Sequence, residues 1–240
     1  MKQIGIVACS AEGAALCYRT IAQDAEQYLG VHNHPKVTMH SIPLADWMEP
    51  FNAGDYQGVG ELMLESALVV ANAGADFAIC PDNSCHLSFE HFIGRSPIPW
   101  LHIAEVVADE AQRHGWKKAG LLGTRFTMNG PVYSDVFKRR GMEVLAPPAA
   151  DQKMVDDCIW NELVHGIFPE NSRLGYNEVI ARLESQGCDC VILGCTEIPL
   201  LVRSDDCPLP TLDSTRLLAK AAVQHAIQSG QGGSKTQAAG

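Results

Sequence analysis

Three segments in the first half of the chain recur, in the same order, in the second half. "IGIVACS" from Ile4 resembles "AGLLGTR" from Ala119. "GADFAICPDN" from Gly74 resembles "GCDCVILGCT" from Gly187. "PIPWLHIAEVVADEA" from Pro97 resembles "PLPTLDSTRLLAKAA" from Pro208. The offsets are 115, 113 and 111 residues. One such match between apolar segments carries little information, but three in order at a nearly constant offset indicate a duplicated unit. Such a chain has to fold as two related halves, and each half has to bury the same pattern of apolar runs.

The repeat pairs two chemically active positions, Asp82 in the first half and Cys195 in the second. Each directly follows an apolar run with the character of a buried strand. In open parallel sheets the loops after strand C-termini form the binding crevice. Two halves facing each other around a pseudo-twofold axis present Asp82 and Cys195 from opposite walls. A small substrate between them meets one proton-transferring group on each face. Inverting a stereocentre needs that arrangement, because one group removes a proton and the other delivers one to the opposite side.

The runs Ile4–Cys9, Lys36–Ser41, Phe77–Cys80, Ala119–Leu122, Glu143–Ala146 and Cys190–Leu193 read as strands. Between them, apolar residues at helical spacing predict helices over Ala14–Leu29, Val59–Ala73, Ile103–His114, Val132–Arg140, Ile159–Phe168 and Asn177–Gln186, with a last one near Thr215–Ile227. Short apolar strands between amphipathic helices predict an α/β fold with parallel sheets flanked by helices. Residues 1–100 plus 211–228 are expected to form one lobe and 101–210 the other. Residues 229–240, rich in Gly, Ser and Gln, are expected to be a disordered tail.

At 240 residues, 46% of them hydrophobic, the chain has ample material for a core. The formal charge of −10 argues against nucleic acid and anionic membranes as partners. It leaves room for a small anionic substrate in a local cleft. Met1-Lys2-Gln3 runs straight into the first apolar run, with no cleavage site, and no apolar stretch reaches membrane-spanning length. The expectation is a cytoplasmic protein whose nine cysteines are reduced and mostly buried.

The motifs then resemble a family. "VILGCTEIPLL" (Val191 to Leu201) matches the second signature of the aspartate/glutamate/hydantoin racemase superfamily, and "CPDNSCH" (Cys80 to His86) resembles the first. "LGTRFTM" (Leu122 to Met128), "NELVHGIF" (Asn161 to Phe168) and "PLPTLDST" (Pro208 to Thr215) also match. The resemblance covers the chain from Ile4 to about Ile227. It implies two flavodoxin-like lobes with the active site in the cleft, and an isomerase that needs no cofactor and no pyridoxal phosphate. Such an enzyme exchanges the α-proton of aspartate or glutamate between two residues, usually both cysteines, and dimers are common among its relatives. Carried over by position, Cys195 fits the second catalytic cysteine. Asn83, Ser84 and Thr196 fit the polar residues beside the catalytic pair, Thr124 fits a substrate-holding loop, and His165 falls where some relatives carry a substrate-facing lysine. This chain departs from the pattern at Asp82, which stands where the first cysteine is expected, and in the loop Ala8 to Gly13, which replaces a glycine-rich one.

Each of these residues has a plainer reading. Cysteine is by default a small core residue, and Asp82 is well placed to cap the helix that follows it. Cys85 rivals Asp82 as the first acid/base group. Ser10 stands in the loop after the first strand as a further substrate contact. His86 reads as a structural histidine and Glu197 as a supporting or lobe-interface residue. Cys80, Cys85, His86, Cys188, Cys190 and Cys195 form an apparent cluster, but zinc ligands usually come as closely spaced pairs on turns, whereas Cys188 and Cys190 open a strand and Cys80 ends one, so no metal is expected. Two other functions stay open. One is a related decarboxylase or isomerase that uses only the Cys195 thiol. The other is a carboxylate-binding protein with a degenerate active site.

Overall fold

The computed structural model describes residues 1–228; the expected tail at 229–240 lies outside the described residues. Strands and helices alternate from the start. The first half holds β1 (Ile4–Ala8), α1 (Ala11–Leu29), β2 (Val37–Ser41), α2 (Leu44–Ala53), α3 (Tyr56–Asn72) and β3 (Phe77–Ile79). A 3-10 segment, Asn83–Ser88, then leads through the single turn α4 (Phe89–Phe92) to α5 (Ile103–Arg113). The second half holds β4 (Lys118–Gly123), α6 (Arg125–Asn129), α7 (Pro131–Arg139), β5 (Glu143–Leu145), α8 (Ala149–Asn161) and α9 (Glu170–Ser185). It closes with β6 (Cys190–Gly194), α10 (Ile198–Leu201), β7 (Thr211–Asp213) and α11 (Ser214–Gln228).

Two parallel sheets result, ordered β2-β1-β3 and β5-β4-β6-β7. All five residues of β1 and all five of β6 are buried, as strands covered on both faces must be. The duplication extends to individual hydrogen bonds. Val191 N donates to Pro210 O at 2.9 Å where β7 joins β6, and in the first half Ala78 N donates to Pro99 O at 2.9 Å. There the equivalent of β7 shrinks to one bridge, Ala78 to Trp100. Counting that bridge, both sheets follow the order 2-1-3-4 within their own half, which is the beginning of the flavodoxin-like order.

The helices after these fourth positions cross between the halves. The buried face of α11, Leu218, Ala219, Ala222, Val223 and Ala226, packs with Ala14, Cys17, Ile21 and Ala25 of α1 and with β1 and β3. The many alanines let α11 and α1 approach closely. The buried face of α5, Ala104, Val107, Ala108 and Ala111, joins Val132, Val136 and Phe137 of α7 in the core of the second sheet. Each buried Val or Leu in these stripes contributes about 1.5–3 kcal/mol.

The structure departs from the sequence reading in several respects. β7 was not expected as a strand, and it pairs with β6 in the second sheet although residues 211–228 were expected in the first lobe; only α11 of that segment lies on α1. The helix α2 was not expected either, because Pro50 sits inside it and removes a backbone donor. The helix expected over Ile159–Phe168 ends at Asn161, and a 3-10 turn, Leu163–His165, follows, closed by Gly166 at φ 71°. That left-handed conformation suits glycine and stops the helical run. Finally, α9 begins at Glu170, seven residues before the predicted start at Asn177. Among the described residues no helix is long and apolar enough to cross a membrane.

Candidate active site

In each sheet the strand order reverses between the first and third strands of its half, β1/β3 and β4/β6. Ligands of open α/β sheets bind at such switch points. Four loops leave these strand ends: Cys9-Ser10 after β1, Asp82 to Cys85 after β3, Thr124 after β4, and Cys195 to Glu197 after β6. All four line one tight cavity of about 50 Å³ between the sheets, room for a few waters. Asp82 and Cys195 therefore face a shared space, as the repeat predicts.

Asp82 does not cap its own helix; its side chain makes no capping bond to the 3-10 segment that follows. Its carboxylate instead reaches back to the loop after β1. It accepts from Cys9 N at 3.1 Å and from Ser10 N at 3.3 Å, at the N-terminus of α1. Donors at a helix N-terminus favour an anion. Burial works the other way and dominates. Together with the nearby Glu197 charge, it raises the Asp82 carboxyl from 3.8 to about 7, against the lowering effect of the Cys9 and Ser10 hydrogen bonds. A carboxyl that ionises near neutrality is suited to exchanging protons.

Cys195 is 9% exposed and ends β6 at the cavity wall. Its thiol donates to Glu197 Oε2 at 3.0 Å. Burial first, then the Glu197 charge and that hydrogen bond, hold the thiol well above its usual value. At rest it is a neutral proton donor. Glu197 is itself 1% exposed, accepts also from Thr196 Oγ1 at 2.8 Å, and leaves its Oε1 without a partner. A buried carboxylate oxygen left unpaired is costly, and here it stands beside a thiol at the cavity wall. The sequence reading treated Glu197 as a supporting residue; its motif position next to Thr196 was the only signal available.

The other expected residues divide. Ser10, Asn83, Ser84, Cys85, Thr124 and Thr196 all line the cavity. Ser10 Oγ pairs with Thr196 Oγ1 at 3.1 Å, and Ser84 Oγ with Thr124 Oγ1 at 2.8 Å and Thr127 Oγ1 at 2.9 Å. All three contacts join one half to the other at the cavity. The Asn83 side chain is committed to the fold. Its Nδ2 donates to Ser214 Oγ at 3.1 Å, its Oδ1 accepts from Tyr133 OH, and Ser214 Oγ in turn donates to Leu193 O. Cys85 lies among other thiols. Its hydrogen bonds with Cys80 and Cys9, and then burial, raise it well above a free thiol, so it stays protonated. His165 is exposed and does not line the cavity; its neighbour Val164 does.

His86 bonds to Cys80 O at 3.0 Å and packs against Phe89 and His102. Burial, then the charge of His102, keep it neutral. All nine cysteines are free thiols. Among the described residues no group of three or more His, Cys, Asp or Glu side chains is placed to hold a metal ion.

The rest of the lining was not singled out from the sequence, although Phe126 and Val164 lie within the motifs at 122–128 and 161–168. Leu44, Met48 and Phe51 come from α2, Phe126 from α6, Ile159 and Trp160 from α8, and Val164 from the turn after it. They form an apolar wall opposite the polar loops.

Comparison with known proteins agrees with this architecture. A sequence model described as Asp/Glu/Hydantoin racemase matches residues 4–222. A broad specificity amino-acid racemase, RacX of Bacillus subtilis, is 27% identical over 202 residues, covering 80% of this chain and 82% of that protein. A crystal structure of a Yersinia pestis protein named as a candidate Asp/Glu racemase superposes with a TM-score of 0.86 at 34% identity, covering 95% of this chain and all of the other. A Pyrococcus horikoshii aspartate racemase homologue gives a TM-score of 0.81 at 26% identity, covering 94% and 99% of the two chains.

Proposed function

Because the chain belongs to the Asp/Glu/hydantoin racemase family, we propose that it is an amino-acid racemase acting without pyridoxal phosphate or any other cofactor, with Asp82 and Cys195 as its two acid/base groups. The observation that carries this reading is their common cavity: equivalent strand ends of two duplicated halves bring one carboxyl and one thiol to the same small space.

The resting protonation states fit one direction of turnover directly. The Asp82 carboxylate takes the α-proton, and the Cys195 thiol delivers its own to the opposite face. The electron pair left by the C–H bond is held transiently on the substrate carboxylate and then forms the new C–H bond. Asp82 is left protonated and Cys195 as a thiolate. A thiolate next to the Glu197 carboxylate is disfavoured, so the direction that needs the sulfur as a base starts from the less populated form of Cys195. The hydroxyl cluster of Ser84, Thr124 and Thr127 supplies hydrogen-bond donation where charge develops. Two unlike groups with unlike resting states let kcat and KM differ between the two enantiomers, while kcat/KM stays equal in the two directions because the enantiomers are equal in free energy. The family name brings aspartate and glutamate to this chain as the first substrates to try.

Solvent exchange tests the reading. In D₂O, the wild type is expected to incorporate deuterium at the α-carbon of an amino-acid substrate. Cys195→Ser is expected to lose turnover by about 10²–10⁴-fold, the usual worth of a positioned acid/base group. Undiminished interconversion of the two enantiomers in Cys195→Ser would remove the thiol from the mechanism. Release of CO₂ from a malonate-type substrate would replace racemisation by decarboxylation.

A further inference from the structure

On the racemase reading of this cavity, the walls bear on which side chain the substrate carries. Of the residues lining it, none is Lys, Arg or His, and two, Asp82 and Glu197, are acids. The polar part of the lining is confined to the loops after the four strand ends. It suffices for the groups every amino acid shares: the carboxylates suit an α-ammonium, and the hydroxyls suit an α-carboxylate. The remainder is the apolar wall of Leu44, Met48, Phe51, Phe126, Trp160 and Val164. A side-chain carboxylate placed against it would be desolvated without a partner, which is strongly unfavourable.

The polar atoms nearest that wall are engaged elsewhere. Trp160 Nε1 donates to Asp156 Oδ1 at 3.0 Å. Arg125, which stands between the lining residues Thr124 and Phe126, is held by the same carboxylate. Its backbone N donates to Asp156 Oδ1 at 2.8 Å and its guanidinium to Asp156 Oδ2 at 3.1 Å and Asn52 Oδ1 at 3.0 Å. The guanidinium carbon lies 4.4 Å from the centre of the Phe126 ring. Asp156 thus ties down both the indole N–H and the cation adjoining the cavity.

We infer that the substrate is an amino acid with an uncharged, largely apolar side chain, seated against α2, Phe126 and Trp160, rather than aspartate or glutamate. α-Proton exchange in D₂O, followed by NMR for both enantiomers of alanine, valine, leucine, methionine, aspartate and glutamate, tests it on the wild-type protein. The best apolar substrate is expected to exceed both acidic ones in kcat/KM by about a hundredfold or more. Met48→Arg, which places a cation at the wall, is expected to raise the aspartate-to-leucine ratio by about tenfold or more, equivalent to about 1.4 kcal/mol. Aspartate or glutamate turnover equal to or faster than that of every apolar substrate overturns the inference and leaves the racemase reading standing. Loss of such turnover in Arg125→Gln would then assign the acidic side chain to Arg125. An unchanged ratio in folded Met48→Arg also overturns the proposed seat. No exchange with any amino acid overturns the racemase reading, and this inference with it.

Discussion

Replacing Asp82 by asparagine should make the protein's stability less sensitive to pH, and the size of the effect follows from the carboxyl's surroundings. In the folded protein Asp82 ionises near pH 7, against 3.8 for the ordinary group. That difference of about three pH units corresponds to about 4 kcal/mol. Between these two values the folded chain holds a proton that the unfolded chain has released. The carboxyl's stabilising contribution is therefore fully present below about pH 4 and is lost as the pH rises through about 7. Between pH 5 and 8.5, with some screening by water in the cavity, wild type should lose about 2–3 kcal/mol through this one group. The asparagine amide cannot titrate. The substitution also leaves either Cys9 N or Ser10 N without its acceptor, at a cost of about 1–3 kcal/mol, but that cost does not depend on pH and cancels in the comparison. Urea denaturation of both proteins at pH 5 and 8.5 measures the double difference. The variant should gain about 2–3 kcal/mol relative to wild type across this interval. Parallel profiles, agreeing within about 0.5 kcal/mol, would show that Asp82 titrates as an ordinary surface acid and would take away its fitness as a base at neutral pH.

Glu197→Gln removes the charge that helps raise the Cys195 thiol. The pH at which Cys195 becomes alkylated, read by mass spectrometry of its peptide, should shift downward. Two helical glycines should respond in opposite senses to alanine. At Gly13 the added carbon would stand 2.2 Å from Thr196 Cβ, so Gly13→Ala should lower stability by about 1–3 kcal/mol in urea and open the cleft. At Gly175, in α9, nothing lies nearer than the Met154 methyl at 3.6 Å, so Gly175→Ala should raise stability by about 0.5–1 kcal/mol.

What could be read from the sequence was whatever is encoded locally or repeated. β1, β3, β4 and β6 are continuous apolar runs, and the repeat pairs Asp82 with Cys195, which line one cavity in the fold. β7 was missed because its three residues sit between prolines and a helix start, too short for a periodic signal; only the alignment of Pro210 with Pro99 hinted that it lies in a sheet. The partners of Asp82 were out of reach, since Cys9 and Ser10 lie more than 70 residues away and donate through backbone, which carries no side-chain signature. The apolar wall was hidden for the same reason. Its members come from α2, α6 and α8, and each looks locally like an ordinary core residue. His165, carried over by position, is exposed, and its neighbour Val164 lines the cavity instead.

The crossing of α5 and α11 between the halves bears on how the molecule can be divided. A single copy of the repeat, left alone, would turn the apolar stripe of its last helix outward and leave its own sheet uncovered. Two separate copies could satisfy both needs only by trading those helices, as domain-swapped dimers do. The present chain keeps that trade inside one polypeptide. On this packing neither wall of the cleft folds on its own, and severing the connection near residue 115 should yield fragments that are soluble only when they reassemble.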